Sequence, residues 1–133
     1  MKGDHPKMEF VSKGWGWERW IVNKQEYCGK ILNLAKDRKC SIHYHIKKDE
    51  VFYVLSGKVL MRYHDQADKM VELEKLGLGE LSDHMDHVIL DAGDNFYVPP
   101  GRIHQFFGLE DSTILEISTF HCENDSIRIV KGD

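Results

Sequence analysis

His43 and His45 stand two residues apart, Glu50 follows five residues later, and a third histidine, His104, comes just after the Pro-Pro-Gly of residues 99–101. Residues two apart on a strand project to the same face. In a strand reading, His43 and His45 therefore point together and Tyr44 points away. Glu50 opens the next strand across a short connection, so its carboxylate can approach from the side. The Pro-Pro-Gly turn fixes the backbone ahead of His104, which begins another strand. Three imidazoles and one carboxylate can bind a single divalent cation and leave two positions of an octahedron open. Nitrogen and carboxylate donors suit Zn, Mn, Fe, Ni or Co, and nothing in the sequence selects among them.

The segments that must position these groups read as strands. ERWIVN alternates loosely, and YCGKILNLA sets Cys28, Lys30, Leu32 and Leu34 on one face and Tyr27, Gly29, Ile31 and Asn33 on the other. SIHYH, EVFYVLSG and KVLMRYH follow, the last two joined by a Ser-Gly hairpin signal. HVILDA, NFYVPP, IHQFFGLE, STILEIST and SIRIV complete the series. Turn signals recur every eight to twelve residues and no long amphipathic helix is evident, which predicts an all-β sandwich or barrel. Residues 1–12 read as a polar arm or an edge strand, and residues 13–133 as one domain. The acidic stretch Asp65–Asp86, with Gly77 and Gly79, fits a hairpin extension or a loop with a short helix.

The first cluster resembles the first cupin motif: HxH, three or four residues, Glu, six residues, Gly. His43, His45, Glu50 and Gly57 keep that spacing. The second resembles the second cupin motif, with Gly93, Pro99, Gly101 and His104 in place. Asp37 stands where the first motif begins with Gly, and Gly108 where the second ends with Asn. The resemblance implies a double-stranded β-helix, a small jelly-roll barrel with a metal held in its mouth.

Roughly residues 13–130 also resemble the cupin module of type II phosphomannose isomerases and related sugar-isomerase cupins. Trp15-Gly16 opens the module, Glu116-Ile117-Ser118 closes it, and Glu123-Asn124-Asp125 with Arg128 follows. That resemblance implies aldose–ketose isomerisation or epimerisation of a small carbohydrate or sugar phosphate. A metal would act as Lewis acid on the carbonyl, and a base would move the neighbouring proton. Glu116 is the candidate base, because a carboxylate on a late strand is expensive to bury unless used or paired. His121 is a candidate for assisting proton transfer, Lys47 and Lys48 for holding an anionic substrate, and Arg128 for binding phosphate. Their structural alternatives are an outer-face or solvated position and, for Arg128, an ion pair with Glu123 or Asp125. Two other classes stay open: an Fe(II)-dependent dioxygenase, which the same ligand set suits, and a non-catalytic sugar-binding cupin.

The remaining features narrow the setting. At 133 residues with net charge −4 and no basic stripe, the chain is not patterned for nucleic acid. No apolar run reaches the length of a membrane span. The N-terminus has no apolar segment of the signal-peptide kind. Cys28, Cys40 and Cys122 fit no zinc or redox spacing and read as reduced thiols, which points to the cytoplasm. Trp15, Trp17 and Trp20 are expected to pack an N-terminal strand against the barrel or a partner subunit, and a homodimer is expected.

Overall fold

The computed structural model describes residues 8–133. The part of the N-terminal arm in residues 1–7 lies outside them, as does most of the stretch that bears on a signal peptide. Along the chain the strands are β1 (Glu9–Lys13), β2 (Gly16–Asn23), β3 (Cys28–Leu34), β4 (Ile42–His45), β5 (Glu50–Ser56) and β6 (Lys58–His64). After a helix α1 (Ala67–Leu76) come β7 (Asp86–Asp91), β8 (Asn95–Val98), β9 (Ile103–Gly108), β10 (Ser112–Ser118) and β11 (Ser126–Val130). They form two sheets, ordered β1-β2-β3-β10-β5-β8 and β11-β4-β9-β6-β7. Every pairing is antiparallel, and this is an all-β jelly roll. Among the described residues no helix is long and apolar enough to cross a membrane.

Alternation builds the core. In β3 the residues Cys28, Lys30, Leu32 and Leu34 are buried, while Gly29, Ile31 and Asn33 are half-buried. Leu32, Leu34, Phe52, Val54 and Ile114 from the six-stranded sheet meet Val59, Met61 and Phe106 from the five-stranded one. Trp15 closes this core at the end of the N-terminal hairpin, its ring edge-on to Phe106 at 5.0 Å between centroids. β1 pairs with β2 as an edge strand from Glu9 onward.

Two motif positions explain themselves in backbone terms. Asp37, standing where the resemblance expects Gly, has φ of 64° and is the non-glycine residue with positive φ among the described residues. Asp tolerates this left-handed conformation better than most side chains, and its N–H donates to Gly108 O at 2.8 Å. At Gly108 the neighbouring chain comes so close that a Cβ would sit 2.6 Å from Ala35 O. The glycine in place of Asn there is a packing requirement. The Ser56-Gly57 turn joins β5 to β6, and Gly57 combines φ of 94° with a Cβ position 2.7 Å from Ser112 Cα.

The acidic stretch between β6 and β7 forms α1 and a 3-10 turn, Leu81–His84. Its helix ends on Gly77 in the left-handed conformation, whose N–H donates to Glu74 O. Met70, Leu81 and Met85 pack with Ile42 and Ile103 in a second apolar cluster, joined by Ala67, Leu73 and Tyr44. Ile42 and Tyr44 flank His43 on the opposite face of β4, and Ile103 precedes His104 on β9. The insertion therefore backs the two strands that carry the three histidines, so both faces of those strands are packed.

Candidate metal centre

The three imidazoles meet because β4 and β9 pair with His43 directly opposite His104. Their ring centroids are 4.3 Å apart, and those of His43 and His45 5.2 Å. One ring nitrogen from each of His43, His45 and His104 lies within 4.8 Å of the others, forming the metal-capable cluster among the described residues. Glu50 enters from β5 in the facing sheet. Its Oε2 is 3.3 Å from His45 Nε2 and 3.4 Å from His104 Nε2.

Neighbouring carbonyls set the tautomers of two rings. His43 Nδ1 lies 3.0 Å from Ser41 O, and His104 Nδ1 lies 3.1 Å from Arg102 O. A carbonyl only accepts, so each Nδ1 carries the proton and each Nε2 presents its lone pair, as ligand histidines require. Arg102 is itself fixed by Asp65, at 2.7 Å, and stacks over Tyr63. Burial pushes His43, His45 and His104 down to about 3, so all three are neutral donors near pH 7.

Glu50 is 2% exposed, and its Oε2 is buried without a hydrogen-bond partner. Burial, then the charge of Glu116, pushes its carboxyl up to about 8. A cation among the imidazoles would reverse that by holding the carboxylate ionised. The orphaned oxygen beside the Nε2 atoms of His45 and His104, and the fixed tautomers of His43 and His104, fit a divalent ion. The residues that would hold it are His43, His45, His104 and Glu50.

Lys48 ties this centre to the opposite wall. Its Nζ is 2.7 Å from Glu116 Oε2, 3.4 Å from Glu50 Oε1 and 3.0 Å from His121 Nδ1. An ammonium only donates, so His121 Nδ1 accepts, and its Nε2–H donates to Glu123 Oε1 at 2.9 Å. Burial alone would lower the Lys48 pKa, but Glu116 and Glu50 outweigh it and hold the group well above its usual range. For Glu116, burial acts upward, and Lys48 with Lys30 outweighs it, leaving the carboxyl at about 2. Burial, then Lys30 and Lys48, pushes His121 down.

These groups line a cavity of about 180 Å³ between the sheets. Glu116 faces it from β10, His121 from the segment after β10, and Arg128 from its rim on β11, next to His43 in register. Among the described residues Arg128 makes no ion pair with Glu123 or Asp125. Lys47 is exposed and outside the cavity lining, whereas Lys48 is 3% exposed and central to it. The Asp125 carboxylate makes that choice by accepting from both backbone N–H groups, of Lys47 at 2.8 Å and of Lys48 at 2.9 Å. Cys40 also lines the cavity, but burial pushes its thiol up to about 12, which keeps it protonated.

Sequence reasoning missed Lys30 as a cavity residue. The signal was its place in the β3 alternation, where a lysine shares the face of Cys28, Leu32 and Leu34. Trp20, expected to pack the N-terminal strand against the barrel or a partner, covers the Lys30 ammonium with its ring at 4.1 Å.

The fold and this centre define a small-barrel protein with a metal-capable mouth. The family described as Cupin matches residues 21–132, and the chain belongs to the cupin family. No curated protein matches the chain in sequence. KdgF from Halomonas sp. is similar in structure, at 14% identity and a TM-score of 0.65, with 90% of each chain covered. Oxalate decarboxylase from Bacillus subtilis is similar at 17% identity and a TM-score of 0.72, over 92% of this chain and 30% of its own. The capsular polysaccharide assembling protein CapF from Staphylococcus aureus is similar at 15% identity and 0.67, over 93% and 34%. This chain thus spans about a third of the latter two proteins. At these identities the likeness is one of fold.

Proposed function

We propose that the chain is a metal-dependent cupin acting on a small carbohydrate or sugar phosphate, by isomerisation or epimerisation at the carbon next to a carbonyl. The observation that carries this reading is the convergence of three neutral imidazoles on the partnerless Glu50 Oε2, across a cavity from the buried Lys48–Glu116 pair. A divalent ion held by His43, His45, His104 and Glu50 would supply Lewis acidity for a bound carbonyl and its neighbouring hydroxyl.

The protein's own residues supply the remainder. Glu116 is the proton-transfer group of the opposite wall. In its pair with Lys48 it is ionised but weakly basic. A substrate oxygen that takes one of the Lys48 donors loosens that pair and raises the basicity of the carboxylate. His121 accepts from Lys48 and keeps the ammonium in place, and Arg128 at the rim is one of the cationic groups open to an anionic substrate. Glu50 and Glu116, 2% and 4% exposed, lie deep in the cavity, away from bulk water.

Proton NMR in D₂O tests this with the metal-loaded protein and a panel of aldoses, ketoses and their phosphates. The expected result is deuterium entering next to the carbonyl, abolished by chelation and unaffected by excluding air. Oxygen consumption with Fe(II) and no deuterium exchange would assign the site to the dioxygenase class instead. Ligand binding without any chemical change would assign it to sugar binding.

The same reading places the protein in the cytoplasm, where its three free thiols stay reduced, and makes it a homodimer. Tyr53, Tyr97 and Ile117 are 39%, 51% and 57% exposed on adjoining strands of the six-stranded sheet. Grouped apolar side chains of this kind are typical of association surfaces. Light scattering is expected to return twice the chain mass, and a monomer at micromolar concentration refutes the dimer.

A further inference from the structure

Lys30 is spent on nothing that the metal centre requires. Its side chain is 2% exposed and lines the cavity from β3. An ammonium has three N–H donors, yet among the described residues no hydrogen bond uses them. The nearest carboxylate, Glu18 Oε1, is 3.7 Å away and already accepts from Trp20 Nε1 at 2.8 Å. Glu116, its register partner on β10, is taken by Lys48. The Trp20 ring covers the ammonium at 4.1 Å, an attraction that satisfies charge but no donor. Unlike Glu50 Oε2, the Lys30 Nζ is not sealed off but opens onto the cavity, where its unused donors are within reach of a ligand.

The charges agree. Acidic and basic side chains balance in the cavity lining, five of each. A divalent ion leaves two positive charges in excess. The cavity, at about 180 Å³, is below the roughly 300–1,000 Å³ of drug-sized sites, so the ligand is small.

We infer that Lys30 is the anchor for an anionic group of the ligand, so that the substrate is a small acidic carbohydrate whose carbonyl end faces the imidazoles and whose anion faces β3. This rests on the carbohydrate reading above and adds to it the substrate's charge and orientation.

The test uses the full chain loaded with Zn²⁺ and calorimetry against glucose, mannose and galactose, their 6-uronates and their 6-phosphates. A charge-assisted contact at a buried ammonium predicts that the acids bind at least about tenfold more tightly than their neutral parents. Uronate preference identifies a carboxylate and 6-phosphate preference a phosphate. Lys30→Gln is expected to narrow the ratio to about twofold, and Lys30→Arg to retain most of it. In the wild type, the Lys30 side-chain ¹⁵Nζ resonance should shift with the preferred acid and not with its parent, a readout that needs no variant to fold. Equal affinity for acids and parents overturns the inference and leaves the carbohydrate reading standing. So does a preference that survives Lys30→Gln. Binding by none of the sugars removes that reading and this inference together.

Discussion

Replacing His45 with alanine is expected to cost the protein its divalent ion while leaving the barrel folded. His45 Nε2 is one of three imidazole donors and lies 3.3 Å from the partnerless Glu50 Oε2. Groups that merely orient a metal ligand cost about 10–100-fold in affinity when lost. Removing the ligand itself should therefore exceed about 100-fold. The apolar core between the sheets does not include His45, so the sheets keep their packing. A metal present at about 100 times its Kd stabilises the folded state by about 2.7 kcal/mol. The wild type should accordingly lose thermal stability on chelation, and His45→Ala should not respond. Metal content after dialysis, read by mass spectrometry beside thermal melts with and without chelator, checks both. Full occupancy in the variant would defeat the ligand assignment. His84→Ala, at an exposed position of the 3-10 turn, is the control and should retain metal.

The second large effect is expected at Lys48. This buried ammonium lies between Glu116 and Glu50 and also donates to His121. Lys48→Met leaves the ionised Glu116 without its nearest cation, beside a Glu50 carboxyl that burial keeps protonated when no metal is bound. Removing one partner of a buried ion pair costs about 3–5 kcal/mol, because the remaining charge is uncompensated. Urea unfolding of the metal-free protein is the measurement, since bound metal would offset the loss. Adding Glu116→Gln to Lys48→Met should recover a large part of the stability, as unpaired charge and not lost packing carries the cost. A single variant within about 1 kcal/mol of wild type would mean that water replaces the ammonium easily and that the Lys48–Glu116 pair does not hold the wall together.

The candidate centre was legible because its information is local. His43 and His45 share a face by strand parity, and Glu50, Gly57 and the Gly93–His104 run sit at fixed offsets from turns. The alternation of Cys28, Lys30, Leu32 and Leu34 was equally visible, including the lysine that breaks the apolar face. Helix α1 was legible only as one of two alternatives, a loop with a short helix or a hairpin extension, and the structure has the former. Across its ten residues only Ala67, Met70 and Leu73 join the packed cluster, and what they pack against, Ile42 and Ile103, comes from strands remote in sequence. Local periodicity could not reveal that this insertion backs the histidine strands.

Parity stops at the end of a strand, and there the tertiary structure took over. Between His45 and Glu50 the chain leaves the sheet, so strand parity gives no means of choosing between Lys47 and Lys48. Asp125, far along the chain, grips both of their N–H groups and turns Lys48 inward. The same holds for Lys30. By itself the sequence determined that this lysine shares a face with leucines, along with the strands, the turns and the histidine pair. Only the pairing of β3 with β2 and β10 decided that its neighbours would be Trp20 and a Glu116 already bound elsewhere. A side chain's face follows from the two-residue repeat of its own strand. Its partners follow from which strands the whole chain brings alongside.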